Sequence, residues 1–252
     1  MSESLFARLY ELDLVYQKDC WKLCGDAHCC SFSRHKQRFR MLAKKKFQEL
    51  PLLPGEHAFL SSRGWLSQFQ DHDHKHSEYA IDERRALSVE SIVSRRPGGC
   101  ACDHDTRPVV CRLYPLLPVL DEAGRLSGIE PFGVYEELEK LEGLAPACEL
   151  KALPFDQLSM FLEVSRLLGE SPLVSFHVAA YRIAKRHAFD KLKNKLKEGE
   201  SAFATFEWDL LRERVFDHDA LRRDLVALAD RYEARWGDAF HLPAPTATAS
   251  AD

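Results

Sequence analysis

The spacing of apolar and polar residues changes along this chain, and the change divides it. Residues 4–18 predict an amphipathic helix, and residues 34–47 a basic one. "LPLLPGEHAFLSSRG" reads as an extended piece followed by a helix begun after Pro54. Between 78 and 95 the pattern alternates, as in "ALSVESIVS", which suits antiparallel strands, and "VLDEAGRLSGIE" is a hairpin turning near Ala123 and Gly124. Beyond 150 the period becomes helical. Phe155 to Leu168 carries Leu158, Phe161 and Leu162 on one stripe; Phe176 to Leu196 carries Ala180, Ile183, Phe189 and Leu192; a third helix carries Leu221, Leu225, Leu228 and Tyr232. Gly199 is a stop signal between the second and the next segment. The expectation is an α+β fold: a unit over 1–150, a helical extension over 151–242 packed on it without a linker, and a disordered tail, "PAPTATASAD", over 243–252.

Composition alters that picture at one point. The chain has 252 residues, a formal net charge of -4, and eight cysteines that are bunched. "CWKLCGDAHCC" holds Cys20, Cys24, Cys29 and Cys30; Cys100, Cys102 and Cys111 follow in "CACDHDTRPVVC", and Cys148 comes last. The opening "MSESLFARLYELDLVYQKD" lacks the basic start and apolar core of a secretory signal, and no apolar stretch is long enough to span a membrane. A cytoplasmic chain is expected. Disulfides rarely persist in that compartment, so the bunching points to metal or redox chemistry. Short cysteine spacings let one loop offer two ligands while a distant loop completes the shell. Gly25, Gly98 and Gly99 would permit the turns this needs. All eight cysteines are candidate ligands, enough for two four-sulfur sites; the plain alternative is a set of inert, partly buried thiols.

Around Cys111 the sequence is "RPVVCRLYP". Pro108 fits only the first turn of a helix and Pro115 prevents continuation, so a short helix is expected over 106–114 with Thr106 as its cap. Arg107 and Arg112 would offset the charge of a thiolate centre, unless they make ordinary surface pairs. In "CDHD", His104 is either a group supporting that centre or part of a solvent-facing turn.

These residues carry a resemblance. "CWKLCGDAHCC", the segment Arg107, Pro108, Cys111, Arg112, Tyr114, Pro115 and a final downstream cysteine resemble the YkgJ-like cysteine-cluster family over roughly 15–150. Members are described as zinc- or iron-chelating. The resemblance implies zinc or iron as the cofactor, an iron–sulfur cluster being one form, with Arg107, Arg112 and Tyr114 beside the ligands. The cysteine pattern is also similar to that of flagellin lysine N-methylases, which implies an enzyme as a second reading.

Two other features are candidates for chemistry. In "DHDHKH", His72, His74 and His76 would share a face if the segment were a strand, and could then bind a divalent metal; a solvated loop is the bland alternative. The basic stretches 34–46 and 182–197 would form a phosphate-contacting patch if two helices aligned, although the acidic balance of the chain argues for two solvated faces. Walker, dinucleotide, nucleophile-elbow and H-E-x-x-H motifs are absent from the sequence. Three functions are therefore carried forward. They are a metal-binding protein with a structural, sensing or delivery role, a metal-dependent or iron–sulfur enzyme such as a protein-modifying methylase, and a zinc-organised module contacting protein or nucleic acid.

Overall fold

The computed structural model describes residues 2–16, 38–95, 103–145 and 154–246. Helix and sheet are mixed, as an α+β reading requires, with helix in excess. The first helix, α1 (Ser2–Glu11), buries Leu5, Phe6 and Leu9 along one stripe. It ends sooner than the 4–18 pattern suggests. The Val15 N–H is instead taken by Gln157 Oε1 at 2.6 Å, and Leu14 is buried.

A three-stranded antiparallel sheet comes next, in the order β1 (Phe47–Leu52), β3 (Ala86–Arg95), β2 (Asp73–Ala80). Strand β1 alternates exposed and buried residues, sending Gln48, Leu50 and Leu52 inward. The register sets Leu50 opposite Ile92 and Ile92 opposite His74; Leu52 lies opposite Glu90 and Glu90 opposite His76. Helix α2 (Glu56–Ser62) begins just after Pro54 and packs Leu60 with Leu50, Leu52, Phe69 and Ile92. The basic helix expected over 34–47 does not form where the chain is described. Residues 42–44 make one 3-10 turn and β1 begins at Phe47.

Helix α3 (Val109–Leu113) is short and leads into a hairpin of β4 (Leu116–Leu120) and β5 (Leu126–Pro131). Five further helices complete the described chain: α4 (Val134–Leu141), α5 (Phe155–Glu170), α6 (Pro172–Lys195), α7 (Ala202–Leu211) and α8 (His218–Trp236). Helix α6 starts with Ser171 as its cap and Pro172 in its first turn. It feeds three apolar clusters: Val174 and Val178 meet α1 and α5, Phe176 and Ala180 meet α8, and Phe189 and Leu192 meet α4 and α7. The cluster containing Leu5 and Phe6 of α1 also contains Val109, Leu117, Phe161 and Leu168, so one core crosses residue 150. Among the described residues no helix is long and apolar enough to cross a membrane.

Two sets of contacts join parts of the chain that are far apart in sequence. Gly124, at the hairpin turn with φ +75°, meets Gly169 of α5 so closely that a Cβ on Gly124 would lie 2.1 Å from the Gly169 carbonyl oxygen, and one on Gly169 1.8 Å from that of Gly124. The Ala86 N–H donates to the Pro243 carbonyl at 2.7 Å, Thr246 donates to Glu78, and Phe240 and Leu242 are buried against Phe176 and Tyr232.

Candidate metal centre

Of the eight cysteines, Cys20, Cys24, Cys29, Cys30, Cys100, Cys102 and Cys148 lie outside the described residues, and Cys111 lies within them. Cys111 sits in α3, half-buried against Leu50, Leu52 and Ile92. Pro108 precedes the helix, and its carbonyl accepts from the N–H groups of Cys111 at 2.9 Å and Arg112 at 3.1 Å. Thr106 is not the cap. Its hydroxyl donates to Gln68 Oε1 at 3.0 Å, and residues 104–106, including His104, form a separate 3-10 turn.

The start of α3 is capped from far away. Glu56, fully buried, accepts from the Val109 N–H and from the Tyr10 hydroxyl, each at 2.7 Å, and from the Leu53 N–H at 2.9 Å. Burial pushes its carboxyl up, against the pull of these three donors. Arg112 is buried, donates to the Leu9 carbonyl at 3.1 Å and lies over the Tyr10 ring at 5.3 Å. Burial lowers its pKa, and the neighbouring Arg107 charge acts in the same direction. Arg107 is also buried, and among the described residues neither its Nε nor that of Arg112 has a hydrogen-bond partner. Two buried arginines thus flank Cys111 in the sequence, each with an Nε that has no hydrogen-bond partner among the described residues. Tyr114 donates its hydroxyl to Glu136 and lies edge-on to Phe132.

The stretches bearing the other cysteines are 17–37, 96–102 and 146–153; the described flanks of the first and third are fastened to each other, and those of the second to residues 68 and 70. Before the first, the Val15 N–H reaches Gln157, which lies just after the third. After the first, Arg38 pairs with Glu142, which precedes the third. Glu142 also accepts from the Ser201 hydroxyl at 2.7 Å, and Glu207 accepts the N–H groups of Arg40, Met41 and Leu42 at 2.7–2.9 Å. Around the second, Gln68 accepts from the Asp103 N–H at 3.0 Å, while the Arg95 N–H donates to the Gln70 carbonyl at 2.9 Å. Tyr16 feels the charge of Arg107. Sequence reasoning missed Glu56, Glu142, Glu207, Gln68 and Gln157. Only Glu56, in the first turn of a helix, carried a local signal.

Cys111 opens on a cleft of about 870 Å³, whose lining includes Leu42, Phe47, Tyr114, Tyr135 and Tyr181. Among the described residues no group of three or more His, Cys, Asp or Glu surrounds a common point as a metal shell would. The aligned pair of basic helices is not present there either, since residues 38–46 are not helical. Comparison with family models, with curated proteins and with solved structures finds no match to this chain.

Proposed function

We propose that this chain is a cysteine-cluster metal-binding protein, taking zinc or iron, with Cys20, Cys24, Cys29, Cys30, Cys100, Cys102, Cys111 and Cys148 as its ligand set. One observation carries the reading. The flanks of the first and third cysteine-bearing stretches are bonded to each other, 15 to 157 and 38 to 142, and the helix that bears Cys111, α3, is held by Glu56 next to Tyr10 of α1. Fastening of this kind supports a reading in which cysteines distant in sequence serve one metal-binding region. The donor set fits a metal as well: buried Arg107 and Arg112 are the counterpart of a net-negative thiolate centre. A bound ion would hold thiols as thiolates and join three parts of the chain. Its binding free energy would then belong to folding.

Metal content and melting temperature of two variants test this. Cys111→Ser is expected to lower bound metal and melting temperature together. Arg112→Ala is expected to keep the metal and lose about 1–3 kcal/mol of stability, because the Leu9 carbonyl loses its donor and Tyr10 its stacking partner. Full metal content with the parent melting temperature in Cys111→Ser would sink the proposal.

A second reading, a metal-dependent or iron–sulfur enzyme, is favoured by the cleft at Cys111, whose volume suits a small-molecule site. Visible absorption of anaerobically purified protein separates iron–sulfur chemistry from zinc, which absorbs no visible light.

A further inference from the structure

The histidine run lies on the sheet rather than in a loop. Strand β2 begins at Asp73, and its register sets His74 beside Ile92 and His76 beside Glu90, all on the face that α2 covers. From α2, His57 lays its ring on that of His74, with centroids 3.6 Å apart and planes 6° from parallel. Glu90 Oε2 lies 3.9 Å from His74 Nε2. That oxygen is buried and has no hydrogen-bond partner among the described residues, an arrangement that costs stability unless something cationic meets it. His72 stands close to His57, and its Nδ1 contacts the Phe69 carbonyl at 2.9 Å. The carbonyl accepts a hydrogen bond from Nδ1, so the lone pair is on Nε2, the arrangement usual for an imidazole that binds metal.

We propose that His57, His74 and Glu90 form a second metal site, separate from the cysteines, for a divalent ion of zinc type. Two imidazoles and a carboxylate on three different elements are a ligand set zinc accepts, with a further position left for water. As the side chains stand, they do not yet converge. The 3.9 Å between His74 Nε2 and Glu90 Oε2 exceeds by roughly 0.5 Å the spacing of two donors about 2.1 Å from a tetrahedral ion. Rotation of the His74 and Glu90 side chains would have to close that difference, and His57 would have to leave its stack to become the third donor. The His74 and Glu90 side chains are each partly exposed, while Glu90 Oε2 itself is covered, so an ion would enter from the His74 side.

Calorimetric titration of the full chain, as purified, with zinc chloride tests the site. The parent is expected to take up one zinc ion per chain beyond the metal it carries. Uptake should weaken in acid, where protons compete with the metal for the same donor atoms. The double variant His57→Gln/His74→Gln and the single variant Glu90→Gln should each lose this uptake while keeping the metal that the parent carries as purified. If the double variant melts below the parent, Glu90→Gln decides, since its amide keeps the shape of the carboxylate. The site is overturned if the parent takes up no zinc or if Glu90→Gln binds it with the parent's affinity.

Discussion

His177 shows how a single residue ties pH to stability. Its Nδ1 lies 2.8 Å from the Leu173 carbonyl and its Nε2 2.7 Å from that of Ser88, so only the protonated ring could donate to both. Burial nevertheless outweighs these two carbonyls and the charge of Glu90, and lowers the His177 pKa below its ordinary 6.5. His57 is lowered for a related reason, burial first and the nearby His74 second. An unfolded chain therefore binds protons at these rings below about pH 6.5 while the folded chain does not. Stability should fall as pH drops from that value through the folded pKa values. Urea midpoints at several pH values should show the slope, and His177→Gln should make it shallower. The carboxylates whose pKa values are lowered, such as Glu130 beside Arg182, lose their contribution in a more acid window, when pH falls below about 4.5. The two effects are thereby separable. None of this was legible in the sequence, where His177 is one polar residue inside an otherwise ordinary helix pattern.

At the scale of elements, periodicity was informative and long-range polar contacts were not. The helices starting at Phe155, Pro172 and His218 can be read from their apolar stripes because each buries one or more faces in a defined cluster. The hairpin at Gly124 and strand β3 were similarly legible, whereas β2 lies mostly before the alternating 78–95 stretch and overlaps a histidine run that also reads as a loop. The expected basic helix over 34–47 failed in its described part because a distant carboxylate competes for its backbone. Glu207, from α7, takes the N–H groups of Arg40, Met41 and Leu42, and no local pattern announces a partner so far along the chain. Glu207→Ala leaves three donors to find new acceptors, one of them fully buried, and should cost about 2–3 kcal/mol. A chemical-denaturation curve measures it. Hydrogen exchange should quicken first at residues 40–42, and unchanged exchange there would refute the clamp.

For the molecule as a whole, the sequence reading of an N-terminal cysteine unit with helices packed on it rested on the lack of a linker near 150. The packing itself depends on a contact that composition cannot reveal, the approach of Gly124 to Gly169. Gly169→Ala would drive its methyl into the Gly124 carbonyl, separating the hairpin from α5. Overpacking of this kind typically costs about 1–3 kcal/mol. The melting temperature should fall, and it should fall further for Gly124→Ala, which adds the strain of a positive φ. An unaltered melting temperature in Gly169→Ala would mean that the two elements can part freely. The cysteines were legible only as a set of residue types. The fastening of the segments beside them depends on Gln157, Glu142 and Glu56, polar residues whose partners lie across the fold.

The bond from Ala86 to the Pro243 carbonyl has a consequence for how the protein is made. Strand β3 is translated early, but this partner is translated more than a hundred residues later. The same holds for Phe240 and Leu242, which close over Phe176 and Tyr232. While the nascent chain is still on the ribosome, the first sheet can pair its strands, yet that edge stays without its cover until α8 and residues 237–246 have emerged. Ribosome-stalled chains ending at 239 should thus be more open to protease in the β2–β3 turn than chains stalled far enough beyond 246 for that segment to clear the exit tunnel, and chaperone contact should persist until that late release.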